Sequence, residues 1–146
     1  MAKSVAPSIF VTLAARTLPA MEELAARTSG PAVGYELRLD YLQEFGGLES
    51  QLHQMLLRMH FPQTIATCRR VEAGGQFQGA VDQQVAILQA AIRAGCQWVD
   101  VEIESVSRLG AAVLRQFRPA KAIVSYHNYR KTPALGPIYR RLARLP

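Results

Sequence analysis

Gly34-Tyr35-Glu36-Leu37-Arg38-Leu39-Asp40 is the stretch on which the fold turns. Side chains alternate between the two faces of a strand, so Glu36, Arg38 and Asp40 share one face and Tyr35, Leu37 and Leu39 the other. A strand buried on both faces of a parallel sheet reads as an almost unbroken apolar run. This one carries a charge at every second residue instead. The pattern recurs downstream. Arg69 falls with Thr67 and Ile65, opposite Cys68 and Ala66. Asp100 and Glu102 oppose Val99, Val101 and Ile103, and Ser125 and His127 oppose Val124 and Tyr126.

Working outward, the periodicity switches repeatedly between two and 3.6 residues. Strands are expected at Ile9–Leu13, Gly34–Asp40, Thr64–Arg69, Trp98–Glu102 and Ala122–His127. Between them lie helical stripes. Thr17 caps the first, which carries Leu18, Met21, Leu24 and Ala25 and ends at Gly30-Pro31. Leu48, Leu52, Met55, Leu56 and Met59 mark the second. Val81, Val85, Leu88 and Ile92 mark the third, closed by Gly95. Val106, Leu109, Val113 and Phe117 mark the fourth, and Thr132-Pro133 opens a last helical stretch. One helix between each pair of strands demands a parallel sheet with right-handed crossovers. The rhythm alone does not choose between an open doubly wound sheet and a barrel. Neither GxGxxG after the first strand nor GxxxxGK[ST] occurs, and the Gly74–Gly79 segment reads as a flexible loop.

With 146 residues, 49% of them hydrophobic and 19% charged, the chain reads as a single soluble domain. The region Met1–Phe10 has no apolar run of signal-peptide length, and the protein reads as cytoplasmic. Cys68 and Cys96 have no metal-ligand spacing and read as buried thiols. The net charge of +6 is unevenly placed, because residues 105–146 hold nine basic side chains and no acidic one. Such a tail suits phosphates, which makes a nucleic-acid-binding module the rival reading. It lacks regular basic and aromatic interleaving, so a solvated helix face is the expectation.

If the apolar strand faces meet the helices, the polar groups point into a common interior near the C-terminal strand ends, where barrel active sites sit. Burying several charges costs several kcal/mol each unless they pair. A purely structural network would pair Glu36 with Arg38, and Arg69 with Asp100 or Glu102. Four strands with the same habit favour a polar site with a titratable histidine, His127.

Glu36-Leu37-Arg38-Leu39-Asp40, Thr67-Cys68-Arg69-Arg70, Val99-Asp100-Val101-Glu102 and Ser125-Tyr126-His127-Asn128, followed by Thr132-Pro133, resemble the successive strand motifs of type I 3-dehydroquinate dehydratases. The resemblance implies an α/β fold of the (β/α)8 TIM-barrel family. Residues 1–146 would form a single partial barrel domain of about five parallel strand-helix units. It implies dehydration of 3-dehydroquinate to 3-dehydroshikimate, a shikimate-pathway step toward the aromatic amino acids. That reaction runs through a Schiff base to lysine, with no metal or cofactor. His127 would be the proton shuttle, suited by a pKa near neutrality. Glu36, Arg38 and Arg69 would hold the substrate, with Thr12 a further contact.

Two departures accompany the resemblance. The family glutamate that sets the histidine would stand directly before Gly74-Gly75, where this chain has Ala73, with Glu72 one residue early. The Schiff-base lysine belongs on a sixth strand, and the lysines here are Lys3, Lys121 and Lys131. The expectation is therefore a fragment, inactive alone, with two open sheet edges. A truncated or interrupted gene, or a piece of a bifunctional fused parent, is the simplest account, with a second completing chain the alternative. Its partners would be the small-molecule substrate and a completing chain or a second copy in a homodimer, with neither nucleic acid nor membrane.

Overall fold

The computed structural model describes residues 9–28 and 34–146. Five parallel strands form one sheet in the order β1-β2-β3-β4-β5: Phe10–Leu13, Gly34–Arg38, Thr64–Thr67, Trp98–Glu102 and Lys121–Ser125. Sequential order of parallel strands is what successive right-handed βαβ units produce when they wind in one direction, as in a barrel wall. An open doubly wound sheet would reverse direction partway. The helices are α1 (Leu18–Ala26), α2 (Leu48–Met59), α3 (Val81–Ala94), α4 (Ile103–Leu109) and α5 (Leu135–Leu142).

The core lies between the sheet and these helices. Leu37, Ala66, Val99 and Val101 on the strands meet Met21, Leu52, Met55, Leu88 and Ala91 on the helices, all without measurable exposure. Each large side chain buried in this way contributes about 1.5–3 kcal/mol over its exposed state. The apolar faces named by alternation are thus the helix-facing ones. Both cysteines are free and buried, and burial pushes the Cys68 thiol far above its usual range and Cys96 up to about 11.

Local signals work where chemistry is local. Thr17 accepts from the Ala20 amide at 3.3 Å and starts α1, and Gly95 ends α3 at φ 121°. The Gly30-Pro31 stop lies outside the described residues. The second, third and fifth strands each end two residues earlier than expected, at Arg38, Thr67 and Ser125, and three further expectations need correction. The fourth helix does not run through Phe117: Gly110 at φ 82° ends α4, and Ala111–Phe117 follows as a 3-10 helix. That break leaves Leu109 37% exposed while Val106 and Phe117 stay buried. The last helix begins at Leu135, not at Thr132-Pro133.

The segment after β3 is a structured turn rather than a flexible loop. Val71–Ala73 form a 3-10 turn, Gly74 takes φ 79°, and Phe77 exchanges backbone bonds with Arg69 and Val71 at 3.0 Å. A Cβ on Gly75 would collide with the Arg69 carbonyl, so the turn's packing against β3 requires glycine there.

Candidate active site

The polar residues line the face of the sheet opposite the helices. Register sets Thr12 beside Glu36, Arg38 beside Thr67, and Thr67 beside Asp100. Glu36 sits between two hydroxyls: Thr12 Oγ1 donates to its Oε2 and Thr67 Oγ1 to its Oε1, each at 2.8 Å. The Glu36–Arg38 pair that a purely structural network would make is absent among the described residues. Arg38 turns to Asp40, with Nε at 2.9 Å from Oδ1 and Nη2 at 2.8 Å from Oδ2. Those bonds hold its guanidinium above the ordinary arginine range against the opposing effect of burial. Asp40 also accepts from the Gln76 amide at 3.1 Å, which ties the turn after β3 to the end of β2.

Arg69 pairs with Asp100, Nη2 to Oδ2 at 3.4 Å, with side chains 10% and 13% exposed. Ser125 donates to the other oxygen of Asp100 at 2.7 Å. Two residues beyond Ser125 lies His127. Burial, then the nearby Arg69 cation, push its pKa down from the usual 6.5. Among the described residues, His127 Nδ1 and Arg69 Nε are buried side-chain atoms with no hydrogen-bond partner. Unpaired buried donors and acceptors are costly, so each one in a folded chain calls for an explanation.

His127 opens onto a cleft of about 610 Å³ that also has Arg70, Ala73, Glu102 and Tyr129 on its walls. Thr12, Glu36, Arg38 and Arg69 are not among its lining residues. The predicted site residues therefore share one face and one end of the sheet without closing around a single cavity. Ala73 is buried beside the histidine, and Glu72 does not replace the missing carboxylate. Its side chain is 58% exposed and bound to Arg70 Nη2 at 2.9 Å, and its pKa is lowered by its own backbone amide, then by Arg70.

Of the two carboxylates named for Arg69, Asp100 is the one it meets, and Glu102 has other partners. One oxygen accepts from the Arg70 amide at 3.0 Å, and the other from the Gln84 side chain on α3. Gln84, fully buried, also donates to the Cys68 carbonyl at 2.8 Å and accepts from Ser105 Oγ at 2.7 Å. Sequence reasoning passed over Gln84, although a signal exists: it falls in the apolar stripe of Val81, Val85 and Leu88, where an amide needs buried partners. Among the described residues no group of His, Cys, Asp and Glu gathers to hold a metal. No helix is long and apolar enough to cross a membrane among them.

Comparison with known proteins decides the family. The family model "Type I 3-dehydroquinase" matches residues 9–146. This chain belongs to the type I 3-dehydroquinase family. It is 35% identical over 121 residues to a 3-dehydroquinate dehydratase of Dehalococcoides mccartyi, covering 83% of this chain and 50% of that protein. Over 133 residues it is 34% identical to the Methanothermobacter thermautotrophicus enzyme of that name, covering 90% of this chain and 58% of the relative. The chain thus spans about half the length of the curated 3-dehydroquinate dehydratase relatives it matches first. In fold it superposes on the Geobacillus kaustophilus 3-dehydroquinate dehydratase with a TM-score of 0.83 at 19% identity, over 97% of this chain and 59% of that one. The Clostridium difficile type I enzyme gives 0.79 at 21% identity, over 94% and 57%. An Arabidopsis thaliana relative, 32% identical over 112 residues (75% of this chain, 18% of that one), is a bifunctional 3-dehydroquinate dehydratase/shikimate dehydrogenase.

Proposed function

We propose that this chain supplies the substrate-orienting and proton-transfer part of a 3-dehydroquinate dehydratase site, and that the reaction passes through a lysine Schiff base. The observation that carries the reading is the row of polar groups on the inner strand face, Glu36, Arg69 and His127, in a chain of this family. The substrate is a hydroxylated ring with a ketone and a carboxylate, and the row fits its polarity. Glu36, fixed by Thr12 and Thr67, is ready to accept from a hydroxyl. Arg69 keeps Nε free to donate. Burial and the Arg69 cation favour neutral His127, the form that takes a proton from the carbon beside the carbonyl and returns it to the departing hydroxyl. Arg38, committed to Asp40 at two atoms, orients Asp40 and the turn beyond it more than it binds substrate.

The imine needs an amine that enters the same space. Lys121 starts β5 over the Trp98 ring at 4.8 Å, at the opposite end of the strand from His127. Lys131 is exposed in the segment before α5. In our reading the Schiff-base lysine comes from a sixth strand outside these 146 residues, and the chain alone binds without turning over. The basic residues of the C-terminal third fit this reading better than a nucleic-acid surface. Arg108 and Arg130 line the cleft beside His127, and Lys121 lies at the other end of the sheet.

The test is a spectrophotometric assay of the purified chain with 3-dehydroquinate, following the conjugated enone, alongside NMR of the His127 ring. The expected result is no enone and a substrate-dependent shift of His127 that Arg69→Gln weakens. Absence of any shift at millimolar substrate would sink the binding reading. Enone formation abolished by Lys131→Ala would overturn the assignment of the lysine.

A further inference from the structure

Asp100 is a charge that the reading above leaves unused, and its position is unusual. It stands on β4 between two strands that each lead to a functional candidate two residues past their ends: β3 runs on to Arg69 and β5 to His127. Its two oxygens serve one neighbour each, Oδ1 taking the Ser125 hydroxyl at 2.7 Å and Oδ2 the Arg69 guanidinium at 3.4 Å. Both members of the ion pair are largely out of water, so their interaction is weakly screened.

The contrast with Arg38 shows what this arrangement does. Arg38 gives Nε and Nη2 to Asp40 in a two-point clasp at 2.8–2.9 Å. Arg69 touches Asp100 at one longer contact and keeps Nε unpartnered. A fork held at one point remains directional and still has donors to offer an anionic or hydroxyl ligand. We propose that Asp100 is a positioning residue of this site: its carboxylate holds Arg69 in place without saturating it and, through Ser125, links it to the strand that runs on to His127. The inference rests on the reading that Arg69 and His127 serve the dehydratase site.

The charges around His127 make the idea measurable. From the β3 side come Arg69, then Arg70 and Glu72 on the cleft wall. From β4 and α4 come Asp100, Glu102, Glu104 and Arg108, and the histidine's own segment adds Tyr126, Tyr129 and Arg130. Arg69 disfavours the imidazolium, and Asp100 is the strongest of the carboxylates that favour it. Without Asp100 the guanidinium loses both its counter-charge and its anchor, and bears harder on the imidazole.

The experiment is an NMR titration of the His127 ring in the 146-residue chain without substrate, with His127→Ala separating it from His53 and His60. Asp100→Asn should move the His127 midpoint downward, by more than Glu104→Gln does, and Asp100→Glu should recover part of the shift. In an Arg69→Gln background the Asp100→Asn shift should shrink, because the anchored cation is gone. A midpoint that stays or rises in Asp100→Asn overturns the proposal, as does a shift of equal size with and without Arg69. Should Asp100→Asn fail to fold, Asp100→Ser removes the same charge and keeps a polar partner for Ser125, with the same expected direction. Because no turnover is read, failure here is separable from failure of the dehydratase reading, which the substrate assay decides.

Discussion

Gln84→Leu tests whether the end of β3 is held in place by one buried amide. The substitution keeps a similar volume on α3 and removes the bonds to the Cys68 carbonyl, the Glu102 carboxylate and the Ser105 hydroxyl. Two of these are neutral, about 1 kcal/mol each, and the bond to the carboxylate is about 2 kcal/mol. Glu102, 2% exposed, would keep the Arg70 amide as a partner, and a buried charge short of partners carries a further cost. Extra apolar burial by leucine offsets about 1 kcal/mol. The net expectation is a loss of about 3–4 kcal/mol, a large share of the roughly 5–15 kcal/mol of a typical domain. The assay is urea unfolding followed by the fluorescence of Trp98, the only tryptophan, which begins β4, the strand that Glu102 ends. Gln89→Leu, on the same helix at a position whose amide reaches only Gln116, should change stability by less than about 0.5 kcal/mol. A Gln84→Leu loss below about 1 kcal/mol would refute the reasoning, since Glu102 would then be satisfied without the amide.

Three other predictions concern the histidine and its neighbouring turn. Because burial and Arg69 lower the folded pKa of His127, the unfolded chain binds its proton more readily. This contribution to stability is therefore present above the ordinary value of 6.5 and is lost as pH falls from there through the folded pKa, a slope that His127→Ala should remove from urea midpoints measured across that window. Ala73→Glu should raise the His127 midpoint by placing a carboxylate on the wall they share, and an unchanged midpoint would show that residue 73 does not reach the ring. Gly75→Ala should cost more than about 1 kcal/mol and weaken substrate binding, because the new methyl group meets the Arg69 backbone; calorimetry and substrate titration read the two effects.

Much of the architecture was legible in the linear pattern. Alternation of apolar and charged residues in Gly34–Asp40 and its counterparts identified the helix-facing side of each strand, because a strand has a fixed two-residue period. Thr17 and Gly95 marked helix ends because capping involves only a few neighbouring residues. Legible too was the placement of the polar residues: Thr12, Glu36 and Arg38 lie on strands, and Arg69 and His127 lie two residues past the ends of β3 and β5.

Partner choice was not legible. Glu36 takes hydroxyls from β1 and β3 instead of Arg38, Arg38 takes Asp40, and Glu102 takes Gln84 and the Arg70 amide. Each choice depends on which donors arrive from elements far apart in the chain and on what burial leaves unsatisfied, and alternation carries no information about that. Gly110 shows the limit from the other side. The apolar stripe from Val106 to Phe117 is continuous in sequence, yet a positive φ at one residue turns the second half into a 3-10 helix. The sequence by itself thus determined the βα rhythm, the polar face and the family, since these depend on local period and motif order. Only the tertiary structure decided which charges are paired, which atoms of Arg69 and His127 stay free, and that Glu72 is bound to Arg70, because each is settled by competition among groups that folding brings together.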